Sequence, residues 1–170
     1  MFAREYPQFT TATCLDWKPV LENDREKDVI IDSMRFLVND GRVNIFGFII
    51  MINHFHLIWQ VMCKWELEVV QRDFLKFTGQ HILKNFRNVR SCLHEELVVD
   101  SQDRKRQVWE RNSLSIPLWS PRVCDQKLDY IHMNPVKAGL CARPENYKYS
   151  SARFYILNEK NWDFLTHIDD

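Results

Sequence analysis

Apolar residues along this chain follow two periods, and the switches between them mark its elements. Val29, Ile30, Met34, Leu37 and Val38 recur at helical spacing, and Asn23 or Asp24 supplies an N-cap, so a helix is expected over residues 24–39. Residues 9–17 (FTTATCLDW) are rich in Thr and aromatics and read as a strand. After the turn signal Asp40-Gly41, residues 43–52 and 54–62 form two long strand-like runs, a hairpin folding near Ile52-Asn53. Val69, Val70, Phe74, Phe77 and Ile82 give a second helix over 66–86. Residues 89–104 follow neither period, 107–111 read as a short strand, and 112–121 as irregular. A third helix is expected over 123–138, ended by Gly139 as a left-handed C-cap. The order strand, helix, strand, strand, helix, strand predicts an α+β fold. It is the ferredoxin-like split β-α-β arrangement, an antiparallel sheet with helices on one face, followed by a C-terminal helix.

The chain's 170 residues fit one domain over 1–170, with a core over about 9–140 and a tail, 141–170, packed on it. There are no repeats or low-complexity tracts. No apolar run is long enough to span a membrane, and MFAREYPQFT lacks the layout of a signal peptide, so a cytoplasmic protein with no membrane partner is expected. The five cysteines are odd in number and include no CxxC pair, which argues against a disulfide framework or a cysteine zinc site and for buried reduced thiols. Net charge is zero, but its distribution is uneven: residues 71–143 are basic, and the stretches on either side are acidic. Arg104-Lys105-Arg106 lies in that basic stretch, with Trp109 and Trp119 close by. Cations interleaved with aromatics suit phosphates and bases, although a solvated charged face over core tryptophans gives the same pattern.

His54-Phe55-His56 is the sharpest feature. Side chains alternate along a strand, so the two imidazoles share one face with Ile58 and Gln60, while Phe55, Leu57, Trp59 and Val61 share the other. Two neighbouring imidazoles can ligate one divalent cation, and two histidines with unrelated roles fit the same spacing. Tyr130 and Asn134, in DYIHMNPV, stand one helical turn apart and project together if the helix persists to Pro135. Proline disfavours helical geometry at the residue before it, so a core tyrosine followed by an Asn-Pro turn is the other reading.

Taken together, IMINHFHLIWQ (50–60), RDFLKFT (72–78), KLDYIHMNPVKAGL (127–140) and PENYKYSSARFY (144–155) resemble the IS200-like transposases. The closer likeness is to the REP-associated tyrosine transposase branch. The resemblance runs from about Phe9 to Tyr155, loosely over 89–122. It implies an HUH motif in which His54 and His56 bind metal, a nucleophile at Tyr130, and a third ligand at Asn134. Ile52 stands where the family commonly has proline, a change in turn stiffness and not in ligands.

The activity implied is metal-dependent cleavage and rejoining of single-stranded or hairpin DNA through a 5′-phosphotyrosine, with Mg²⁺ or Mn²⁺ and without ATP. A DNA-hairpin-binding regulator of repeat elements that has lost the chemistry is the alternative. A monomer is favoured over a homodimer. Arg72, Lys76, Arg104, Lys105, Arg106, Trp109, Arg111 and Lys127 are the candidate DNA contacts, with Trp109 and Trp119 as base-stacking platforms. Asp129 and His132 flank Tyr130 on other helical faces and are not expected to serve as its base. The DNA target and the choice between Mg²⁺ and Mn²⁺ are not legible.

Overall fold

The computed structural model describes residues 6–170; residues 1–5 of the predicted domain lie outside the described residues. Among the described residues four strands and five α-helices follow in the order β1 (Gln8–Thr13), α1 (Asp24–Asn39), β2 (Val43–Ile50), β3 (His54–Val61), α2 (Leu67–Asn88), α3 (Cys92–Glu96), β4 (Leu114–Pro117), α4 (Pro121–Lys137) and α5 (Ala152–Ile156). The strands form one antiparallel sheet in the order β2-β3-β1-β4, as the split β-α-β pattern requires.

Alternation along the strands divides the interior in two. Phe55, Leu57, Trp59 and Val61 of β3 meet Ile30, Met34 and Leu37 of α1 and Val70, Phe74 and Ile82 of α2 on one face. Phe9, Ile49 and Ile58 meet Cys124, Leu128 and Ile131 of α4 on the other. The first two helices therefore share a face, as expected, and α4 lies on the opposite face, where the histidines point. Gly47 permits the close approach of α4. A Cβ there would stand 2.6 Å from the Leu128 side chain and 3.3 Å from Ile131.

Three sequence expectations are corrected. The strand expected over 9–17 stops at Thr13; Leu15–Trp17 form a 3₁₀ turn with positive φ at Asp16 (52°) and Trp17 (55°). Its backbone hydrogen bonds turn away from the sheet, with Leu15 N–H donating to the Val108 carbonyl. The fourth strand lies at 114–117 and not at 107–111, where Trp109 makes only an isolated bridge to Cys14. Pro117 is tolerated there because β4 is an edge strand. The cysteines are all free, but only Cys14 and Cys124 are buried, and Cys63 and Cys92 are exposed.

The tail closes the other edge. Ile50 N–H donates to the Tyr149 carbonyl (3.0 Å), Ser151 N–H to the Phe48 carbonyl (3.0 Å) and Thr166 N–H to the Ile45 carbonyl (2.9 Å). Backbone groups of β2 that would otherwise offer an open pairing edge are thereby satisfied. Among the described residues, no helix is long and apolar enough to cross a membrane.

Candidate active site

His54 and His56 lie side by side on the α4 face of β3, ring centroids 5.0 Å apart. Each ring is fixed through Nδ1. His54 Nδ1 lies 2.7 Å from the Asn53 amide oxygen, which can only accept, so His54 donates there and its Nε2 keeps a lone pair. His56 Nδ1 lies 2.8 Å from the Thr11 hydroxyl, on the opposing strand position of β1. Phe9 stacks on the His56 ring at 5.2 Å and 22°. Burial favours neutral imidazoles. It lowers the pKa of His54, and it brings His56, only 5% exposed, down to about 3, helped by the charges of His54 and Lys127. Both rings are thus neutral near pH 7, the form that offers a lone pair to a Lewis acid.

The second half of the site comes from α4. Ser120 caps this helix, its side chain accepting from Val123 N–H, and Pro121 opens the first turn. Helical geometry continues through Asn134 and Pro135 to Lys137, and Gly139 follows with φ 71°. Pro135 lacks the N–H that would donate to the Ile131 carbonyl, yet the helix runs on to Lys137, so Tyr130 and Asn134 stand one turn apart on one helix. Tyr130 is 42% exposed, and its ring stands edge-on to His56 with centroids 5.4 Å apart. Lys127 and Lys137, on the same stripe of α4, place their ammonium groups 5.3 and 5.9 Å from the Tyr130 ring centroid. Asn134 has a buried amide nitrogen with no hydrogen-bond partner. Asp129 is exposed, and His132 is buried away from this face against Ser151, its Nε2 2.8 Å from the Ser151 hydroxyl.

Among the described residues, no three His, Cys, Asp or Glu side chains gather as a metal-binding group. The Asn134 amide, one turn from Tyr130 on α4, has a buried, unpartnered end. Rotation of an amide exchanges its oxygen and nitrogen, and a buried polar atom without a partner is costly unless something binds it.

The basic candidates divide. Arg72 and Lys76 of α2 face Arg104, Arg106 and Arg111 across a groove of about 1070 Å³. This groove lies on the α2 side of the sheet, with Ser115 of β4 hydrogen-bonded to Gln71. Arg72 is paired with Asp73, Arg104 and Arg111 with Asp103, and Arg106 with Glu95. Lys105 is exposed on the same segment, and Lys127 belongs to the histidine face. Trp109 is corrected: it is not a stacking platform. Its indole, 6% exposed, packs edge-on against Phe55 at 5.2 Å and donates to Thr78. Its ring lies against the Gly79 position of α2. Trp119 is 64% exposed.

Sequence reasoning missed Thr11, Phe9, Lys137 and Trp17. The first two were signalled by strand alternation in FTTAT. Lys137 follows Tyr130 by seven residues, two helical turns. Trp17 was hidden by the expectation of a continuous strand.

The fold superposes on the structure of a REP-associated tyrosine transposase bound to a REP hairpin, with a TM-score of 0.67 over 100% of this chain and 91% of the other. The chain has the fold of a REP-associated tyrosine transposase. Sequence identity to that transposase is 14%. A protein of Deinococcus radiodurans R1 assigned as a transposase is a more distant neighbour, at a TM-score of 0.49 and 11% identity over 74% of this chain and 89% of the other, and adds nothing to the transposase argument. No protein-family model and no curated protein match the sequence.

Proposed function

We propose that the chain is a divalent-metal-dependent nickase and strand transferase of single-stranded or hairpin DNA, with Tyr130 as its nucleophile. One observation carries the reading: a half-exposed phenol from α4 stands against an imidazole pair from β3, far away in sequence, with an unpartnered amide one turn along the same helix. A core tyrosine would be covered, whereas Tyr130 is 42% exposed.

His54 and His56 through Nε2, and Asn134 through its amide oxygen, would hold Mg²⁺ or Mn²⁺. Such a cation, when bound, polarises a phosphate and offsets charge developing on its oxygens. The remaining work falls to the chain. Thr11 and Asn53 fix the imidazole orientations. Lys127 and Lys137 place positive charge where the phosphate must approach Tyr130. The phenolic oxygen gives up its proton to solvent and forms a bond to phosphorus while the bond from phosphorus to the 3′ oxygen breaks. That oxygen takes up a proton, and a 5′-phosphotyrosine remains. Reversal of the same exchange rejoins strands without ATP, because the phosphodiester's energy is kept in the covalent link. All these groups come from one chain, in keeping with a monomer.

The groove holding Arg72, Lys76, Arg104 and Arg111 is the surface we assign to hairpin phosphates, in keeping with the hairpin-bound transposase of the same fold. The test is covalent capture. The protein is incubated with Mn²⁺ and a labelled single-stranded library carrying imperfect hairpins with randomised flanks, then denatured. A denaturation-resistant protein–DNA adduct is expected, absent in Tyr130→Phe and in His56→Ala. Binding with no adduct on any member would make the chain a hairpin-binding regulator, and strand cleavage retained by Tyr130→Phe would make it a hydrolase of another type.

A further inference from the structure

The rim of the histidine pair carries an aromatic that this mechanism does not use. Trp17 is 62% exposed, and its indole stands edge-on to His54 with ring centroids 5.9 Å apart. An exposed tryptophan gains nothing from the core, yet its backbone is held in a costly conformation. Asp16 and Trp17 both have positive φ, 52° and 55°, and neither is glycine. The surrounding structure holds this turn from several sides. Asp16 N–H donates to the Glu110 carboxylate (2.8 Å), Trp17 N–H to the Cys14 carbonyl (3.0 Å) and Lys18 N–H to the Leu15 carbonyl (3.1 Å). Cys14 in turn is tied to the histidine hairpin, its N–H donating to the Asn53 carbonyl at 2.8 Å. A surface ring is thus fixed in position beside His54 by a strained turn anchored to the same hairpin.

We propose that Trp17 is a stacking platform for a nucleobase flanking the scissile phosphate. This rests on the nickase reading, since the histidine pair marks where that phosphate sits. A phosphate held at His54 and His56 places the adjoining base within one nucleotide of the Trp17 ring, and an open indole face is the surface on which a single-stranded base of any identity stacks. The stacking orients the strand for attack by Tyr130 from the α4 side. It also favours single-stranded over paired flanks, because a base inside a duplex cannot turn its face to the ring.

Binding with Mn²⁺ in a Tyr130→Phe background, where no adduct forms, tests this separately from the chemistry; in this background wild type means that Trp17 is retained. Affinities of wild type, Trp17→Ala and Trp17→Phe are measured by anisotropy for a fluorescein-labelled hairpin library with single-stranded flanks, and for the same hairpins without flanks. Loss of one base stack weakens binding roughly 5-fold or more. We expect Trp17→Ala to lose that much for flanked hairpins and nothing for unflanked ones, with Trp17→Phe retaining most of it. A scan with single abasic substitutions in the flanks of a selected member supplies a second reading. Wild type should lose affinity at one position, and Trp17→Ala should be indifferent to that position. Equal binding by wild type and Trp17→Ala, or an abasic profile the substitution leaves unchanged, overturns the proposal. Adducts of the unsubstituted protein, assayed in parallel with Mn²⁺, show whether the nickase reading stands when the stacking role falls.

Discussion

At the scale of single residues, the site depends on side chains that hold the two imidazoles in place. Thr11 matters because an imidazole bound through Nε2 needs its other nitrogen held. The Thr11 hydroxyl, 2.8 Å from His56 Nδ1, does this across the β1–β3 ladder. Removing such a support costs metal sites on the order of 10- to 100-fold in affinity or activity. Thr11→Val keeps the shape and the β-branching but loses the hydroxyl. It should raise the Mn²⁺ concentration needed for half-maximal adduct formation by about that factor, while Thr11→Ser should stay near wild type. An unchanged Mn²⁺ requirement in Thr11→Val would show that the bond to Thr11 does not orient His56. Phe9 and Ile58 beside these rings are buried. Their dry surroundings explain why both histidines are driven towards the neutral form.

Among elements, the decisive relation is the height of α4 above the sheet. Tyr130 reaches His56 because Leu128 and Ile131 settle on Gly47 of β2, at a distance that no other residue permits without a shift. In Gly47→Ala the new methyl group must displace the Leu128 side chain or lift the helix. Overpacking of this kind costs roughly 1–3 kcal/mol. A displacement of about 1 Å in a reacting group can cost on the order of 100-fold in rate. The variant should therefore bind hairpin DNA as wild type does, yet form the adduct at least 10-fold more slowly, with a modest loss of thermal stability. Parallel losses of binding and rate would place the defect in the fold as a whole.

The same elements show what could be read in advance. The hairpin around His54 and the helix around Tyr130 carry strong periodic signals, and each was placed within a few residues of its observed bounds. β4 was not, because a four-residue edge strand ending in proline has too little pattern to stand out from the core residues Val108 and Trp109 just before it. The burial of Trp109 was equally hidden: a tryptophan in a basic stretch looks the same whether it faces bases or Gly79. Trp17 escaped notice for a related reason. Richness in Thr and aromatics carried the expected strand past Cys14, and only the backbone shows the chain turning there.

For the whole molecule, the tail holds the fold together through three phenols. Tyr147 donates to the Ile50 carbonyl (2.8 Å) and Tyr155 to the Phe46 carbonyl (2.7 Å), both on β2, while Tyr149 donates to the Asp28 carboxylate of α1 (2.8 Å). The two bonds to β2 fasten the tail behind the strand that supports α4, so the site's geometry depends on their integrity. Burial pushes all three hydroxyls above the ordinary tyrosine range, Tyr147 to about 12, and the Asp28 carboxylate adds to the effect at Tyr149. An unfolded tyrosine ionises near a pKa of about 10. Each raised group therefore contributes stability that is fully present below about pH 10 and is lost as pH climbs from there towards the folded value, because the unfolded chain releases its protons first. Helical circular dichroism should accordingly hold to about pH 10 and then collapse together with the appearance of tyrosinate absorbance from these three residues. Tyr155→Phe removes one ionising group along with its two hydrogen bonds, to Phe46 and from Ile168 N–H. It should lower stability at pH 7 and flatten the alkaline decline. Tyrosinate absorbance that reaches its full amplitude while the helical signal is intact would show that the tail can release its phenols without unfolding, and that its hold on β2 is not what keeps α4 in place.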